Sequence, residues 1–129
     1  MPATEGMKVK TNTPAVRAAR KINLELLLSN HDKKCLSCVR NTNCEFQKLC
    51  SDYGVEDENK YEGSVTPHTV DESSLAIVRN NSKCVLCRRC VAVCNKVQKV
   101  GVIGPTHRGF DTTIESPWGD RLAATACIT

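Results

Sequence analysis

The sequence predicts an α+β fold of small units stapled through cysteine, on three observations. Only 4% of the 129 residues are aromatic, so an apolar core is thin, and chains with thin cores rely on covalent or metal staples. Nine cysteines are present, eight of them in two tight groups and the ninth at position 127. Helical signals dominate up to residue 54, and short strand signals enter after residue 74.

Taken in order, Met7 to Thr11 alternate as a short edge strand would. Thr13 and Pro14 then read as N-cap and first helical position, opening a helix that runs to Leu28 or Ser29. Ala15, Ala19, Ile22 and Leu26 share one face of it, and Ser29-Asn30 is its exit. After a cysteine-rich loop, Cys44 to Asp52 reads as a second short helix with Gly54 placed beyond its C-terminus. Residues 55–74 lack apolar periodicity and read as a surface linker. Leu75 to Arg79 predicts a strand, Asn80 to Lys83 a turn, and Arg88 to Val100 a helix through Val91, Val97 and Val100. Val102-Ile103 and Phe110 to Ile114, separated by Pro105 to Gly109, predict a hairpin.

Composition narrows the function classes. Eighteen basic against fourteen acidic residues give a formal charge of +4, and Arg17, Arg20 and Lys21 lie together on the first helix. That is a weak nucleic-acid signal, because thiolate-bound cofactors add negative charge that such a count omits. An odd cysteine count in metal-type spacings points to reduced thiols, hence a cytoplasmic setting. Residues after Met1 do not form a signal peptide, and the longest apolar run, Leu26 to Leu28, is far too short to span a membrane.

Cys84, Cys87, Cys90 and Cys94 form a C-x2-C-x2-C-x3-C run. Three cysteines three residues apart wrap three corners of one cubane, while in bacterial ferredoxins the fourth cysteine of such a run goes to a neighbouring cluster. The spacing therefore assigns Cys84, Cys87 and Cys90 to one [4Fe-4S] cluster and Cys94 to another. Zinc normally takes paired C-x2-C or Cys and His ligands instead, and a zinc-stabilised binding module is the rival reading. Cys127 stands where a second ferredoxin run would begin, so it joins Cys94 and both of these sites are incomplete. The expectation is a ferredoxin-like region cut short.

The other group is His31, Cys35, Cys38 and Cys44, with Cys50 six residues on. Cys35, Cys38 and Cys44 share a tight loop, and the fourth ligand is either His31 or Cys50. Loop reach favours His31, which folds over the open corner, whereas Cys50 lies round the second helix. Neutral imidazole in place of a thiolate makes a cluster less negative and favours its reduced form.

These residues resemble the N-terminal accessory region of iron-only (FeFe) hydrogenases, including subunits of the NAD(P)-linked enzymes. The resemblance is carried by LLLSNHDKKCLSCVRNTNCEFQ at 26–47, KCVLCRRCVAVCNKVQKVGVIGP at 83–105 and RGFDTTI at 108–114. It implies His31, Cys35, Cys38 and Cys44 as ligands of a complete cluster, with Cys50 a free thiol. It also implies a two-cubane ferredoxin domain holding Cys84, Cys87 and Cys90 on one cluster and Cys94 with Cys127 on the other. Related regions occur in NAD-linked formate dehydrogenases and in the large iron-sulfur subunit of respiratory complex I. The family's second cysteine run, its catalytic domain and the cysteines of its plant-type ferredoxin domain are absent, and Asn95 replaces the proline of simple ferredoxins.

The expected organisation is therefore the end of a plant-type ferredoxin-like domain at 1–13 and a helical His/Cys-ligated [4Fe-4S] domain at 14–56. A linker at 57–74 and a partial bacterial-ferredoxin-like domain with a β-hairpin insertion at 75–129 follow. No nucleophile-base pair, phosphate loop or open catalytic metal site is visible, so the segment itself is expected to catalyse nothing. The expected role is electron relay within an oxidoreductase. Its partners would be a ferredoxin or an NAD(P)H-oxidising flavoprotein subunit and a catalytic domain, with no nucleic acid and no membrane span.

Overall fold

The computed structural model describes residues 2–61 and 66–128. Helix α1 (Pro14–Ser29) begins as its capping chemistry requires: the Thr13 side chain accepts from the Val16 amide at 3.3 Å, and Pro14 occupies the first turn. Helix α2 (Glu45–Asp52) is capped by Cys44 and ends at Tyr53, with Gly54 in the left-handed region at φ +62. The two helices pack on each other through Arg20, which donates to the Tyr53 hydroxyl at 3.1 Å, and Lys21, which donates to the Gly54 carbonyl at 2.6 Å. Arg17 sits 5.2 Å from the centroid of the Tyr53 ring. The basic cluster of α1 is thus engaged with α2.

The buried face of α1 is not the expected one. Leu24 and Glu25 are buried, whereas Ile22 and Leu26 are about half exposed. The run from Leu24 to Leu28 supplies apolar residues on more than one face, and Glu25 is drawn inward by its 2.9 Å ion pair with Lys60. Lys60 thereby fastens the segment after α2 beneath α1.

Among the described residues four short strands form two antiparallel pairs. β1 (Val70–Asp71) pairs with β2 (Arg79–Asn80), and β3 (Gly104–Thr106) pairs with β4 (Thr113–Glu115). The hairpin predicted at 102–114 is therefore present, but its first strand begins two residues later than expected and its second three residues later. Gly109 at φ +65 starts a helical turn that takes Phe110 and Asp111 out of the strand. Asp71 accepts from both the amide and the hydroxyl of Ser73, curling the chain after β1, and Ser74 Oγ accepts from the amides of Ala76 and Ile77, a bend that leaves only the last residue of the strand predicted at 75–79. Among the described residues Met7 to Thr11 have no strand partner, and Val9 is 71% exposed.

The predicted helix at 88–100 is shorter: α3 (Arg89–Ala92) continues into a π-helical turn at Val93–Val97. Lys99 and Gly101 then adopt positive φ. Gly101 takes φ +69, where a side chain is strained, and a Cβ there would push Asn95 Oδ1, 2.9 Å away, aside.

Ile114 and Leu122, each 3% exposed, form the buried apolar centre of the C-terminal half. Asp71 holds Leu122 there: its carboxylate accepts from the Leu122 amide at 2.8 Å, while Ser73 accepts from the Ala123 amide at 3.1 Å. These bonds, first among them that from the Ser73 hydroxyl, pull the Asp71 carboxyl down to about 2 from 3.8. A carboxyl depressed in the fold adds stability above its unfolded pKa and loses it as pH falls through its folded value. The stability difference between the wild type and Asp71→Asn should therefore be constant above about pH 5 and shrink between about pH 4 and pH 2. Equilibrium denaturation of both proteins checks this, and a difference that stays flat across that window would contradict it.

Candidate iron-sulfur sites

The first site forms where the exit of α1 faces the start of α2. The His31 amide donates to Leu28 O at 3.2 Å, turning the chain out of the helix. A single 3-10 turn at Cys35–Ser37, closed by Cys38 N to Cys35 O at 3.1 Å, presents the two thiols of the C-x2-C pair. Bonds from Asn41 N to Cys38 O and from Asn43 N to Arg40 O, with Thr42 at φ 65, then bring the chain back to Cys44. Cys44 Sγ accepts from the Gln47 amide at 3.5 Å as the N-cap of α2.

His31, Cys35, Cys38, Cys44 and Cys50 line one hollow of about 240 Å³. The His31 ring packs edge-on against Phe46 at 5.5 Å. Its Nδ1 is buried without a partner. Burial, seconded by the charge of Lys83, lowers the His31 pKa and so favours the neutral imidazole, which has a lone pair to give.

An orphaned buried nitrogen costs about 1–3 kcal/mol unless something satisfies it. Soft thiolates beside a neutral imidazole suit a cluster of iron and sulfide. The residues therefore fit the group. Among the described residues no three such donors close on a single-ion site; at the first site they stand around a hollow.

The second region gathers its cysteines around a larger hollow. Cys84, Cys90, Cys94 and Cys127 line one hollow of about 550 Å³ with apolar side chains such as Ile77, Val93 and Ile114, while Cys87 is exposed and outside that lining. Leu86 and Arg88, at φ 54 and 58, bend the loop between the cysteines through the left-handed region. For side chains with a Cβ this costs about 1–2 kcal/mol each, and it directs the Leu86 amide to Cys84 Sγ at 3.4 Å. Burial pushes the Cys84 thiol up, and the Leu86 hydrogen bond opposes this. Cys94 lies in the π-helical turn, a feature common at functional sites. Cys127 follows the segment that Asp71 and Ser73 hold.

Charged neighbours join the two regions. Asp32 pairs with Lys83 at 2.9 Å, the Asp32 amide donates to Ser82 O at 2.9 Å, and Glu45 pairs with Arg89 at 2.6 Å. The hydrogen bond from Lys83 is the main reason the Asp32 carboxyl is lowered. Each of these four residues stands next in sequence to a candidate ligand: His31, Cys84, Cys44 or Cys90. That adjacency was visible in the sequence, but the pairing across loops was not.

Among the described residues no helix is long and apolar enough to cross a membrane. Residues 20–59 match the family described as the NADH-ubiquinone oxidoreductase-G iron-sulfur binding region. Across 98% of its length the chain is 41% identical to NADP-reducing hydrogenase subunit HndD of Solidesulfovibrio fructosivorans, of which it covers 21%. Over 71% of its length it is 37% identical to iron hydrogenase 1 of Clostridium pasteurianum, covering 16% of that protein. It is also 33% identical over 90% of its length to the NADH-ubiquinone oxidoreductase 75 kDa subunit of Reclinomonas americana, covering 17% of it.

The chain thus spans about a fifth or less of these relatives. It shares its fold, at a TM-score of 0.86 and 21% identity, with a chain of a NAD+-reducing [NiFe]-hydrogenase crystal structure, covering 98% of this chain and 54% of that one. The match at residues 20–59 is thus to an iron-sulfur binding region, and over most of its length the chain, a mixed helix and sheet fold, is similar to parts of hydrogenase and complex I-type subunits.

Proposed function

We propose that His31, Cys35, Cys38 and Cys44 hold one complete [4Fe-4S] cluster, and that Cys84, Cys87 and Cys90, and Cys94 with Cys127, contribute to two further clusters. The proposed division is a first cluster unit at 14–56, a connecting stretch at 57–74 and a ferredoxin-like unit at 75–129. A bound cluster supplies one-electron storage at a potential set by ligand charge, hydrogen bonds and exposure. The chain's residues bind and tune it: Phe46 orients the imidazole, the start of α2 supports Cys44, and Leu86 N–H supports Cys84.

The parent activity we favour is that of an iron-only hydrogenase. In it this region links a ferredoxin or an NAD(P)H-oxidising flavoprotein subunit to a catalytic domain in the cytoplasm. The 41% identity to the hydrogenase subunit supports this over a complex I-like parent, whose relative stands at 33%. The orphaned Nδ1 of His31 beside three cysteines is the observation that carries the cluster reading.

Anaerobic purification tests it. The protein should be brown, contain acid-labile sulfide with iron, and give a paramagnetic signal on reduction. Zinc without sulfide would replace this reading with a zinc-stabilised binding module.

A further inference from the structure

Five donors face the first hollow where a cubane offers four corners. Sequence position alone places Cys50 away from the loop, since six residues along a helix carry it about 9 Å from Cys44. The fold nonetheless brings it to the same cavity. α2 is anchored to α1 by Tyr53 and Gly54, which turns its second half inward beneath the loop. Cys50 is half-buried there, in the same hollow that His31, Cys35, Cys38 and Cys44 line.

We propose that Cys50 is a reserve ligand of the first cluster, idle while His31 holds the fourth corner and able to take that corner when the imidazole is missing. The inference rests on the cluster reading above. His31 packs against the Phe46 ring of α2; without the imidazole, the space it filled opens toward α2. Cys50 then loses its thiol proton to solvent as its sulfur bonds to iron. No oxidant or reductant is consumed, and the site becomes all-thiolate and one charge more negative.

The test compares anaerobically reconstituted wild type with His31→Ala, Cys50→Ala and the double variant. Each is measured for iron, acid-labile sulfide, redox potential, and alkylation of Cys50 by iodoacetamide in the cluster-loaded protein. Cys50→Ala should match the wild type in iron content and potential. His31→Ala should keep that iron, shift the potential of one cluster downward, and change Cys50 from alkylated to protected. The double variant should lose about four irons per chain.

If His31→Ala loses as much iron as the double variant, or leaves Cys50 open to alkylation, the reserve role is overturned. Loss of iron in Cys50→Ala alone would overturn it differently, by making Cys50 the primary ligand. A wild type without sulfide would overturn the cluster reading itself and is distinguishable from all three.

Discussion

Stripping iron from the anaerobically isolated protein with a chelator is expected to abolish its cooperative thermal transition. Among the described residues the buried apolar side chains are Leu24, Ile114 and Leu122, while Leu36 and Val39 on the first cysteine loop are 93% and 96% exposed. Such a core contributes little against the chain entropy of ordering long loops. Metal-thiolate bonding is folding free energy in small metallodomains, about 10–16 kcal/mol for structural zinc in peptides. Total stabilities of domains are only about 5–15 kcal/mol, so the metal contribution outweighs the remainder. Far-UV circular dichroism during heating gives the comparison. An iron-free protein melting within a few degrees of the loaded one would show that side-chain packing suffices.

The second large effect is expected from His31→Cys. It replaces a neutral ligand by a thiolate in the same hollow, and the added negative charge penalises the reduced state. The midpoint potential of the first cluster should fall by on the order of 100 mV, judged from the several hundred millivolts that separate Rieske centres from all-cysteine ferredoxins. Redox titration followed by electron paramagnetic resonance reads the shift. An unchanged potential in a variant that still holds a full cubane would remove His31 from the ligand set.

Much of this architecture was legible in the residues, and the parts that were not share a physical cause. Thr13-Pro14 and Ser29-Asn30 delimit α1 because capping is local chemistry written in two or three side chains. Gly54 marks the end of α2 for the same reason. The buried face of α1 was misread because it depends on a partner 35 residues away, Lys60, which draws Glu25 inward and leaves Leu26 outside. The curl after β1 arises from the Asp71 carboxylate bonding to Ser73 and Leu122, a choice made by contacts 2 and 51 residues distant.

The candidate ligands follow the same division. Spacing identifies Cys35, Cys38, Cys84, Cys87, Cys90 and Cys94 as donors, since sequence separation fixes how a short loop wraps a cluster. It does not show that Cys50 turns into the first hollow, or that Cys87 stands apart while Cys127 shares a cavity with Cys84, Cys90 and Cys94. Those placements depend on helix packing and on the anchoring of residues 122 and 123 to β1 and Ser73.

The clasp of Asp32 on Ser82 and Lys83 ties the turn after α1 to the loop that opens at Cys84. A substitution that breaks the clasp is therefore expected to disturb both cysteine groups together, because neither loop moves without pulling on the other.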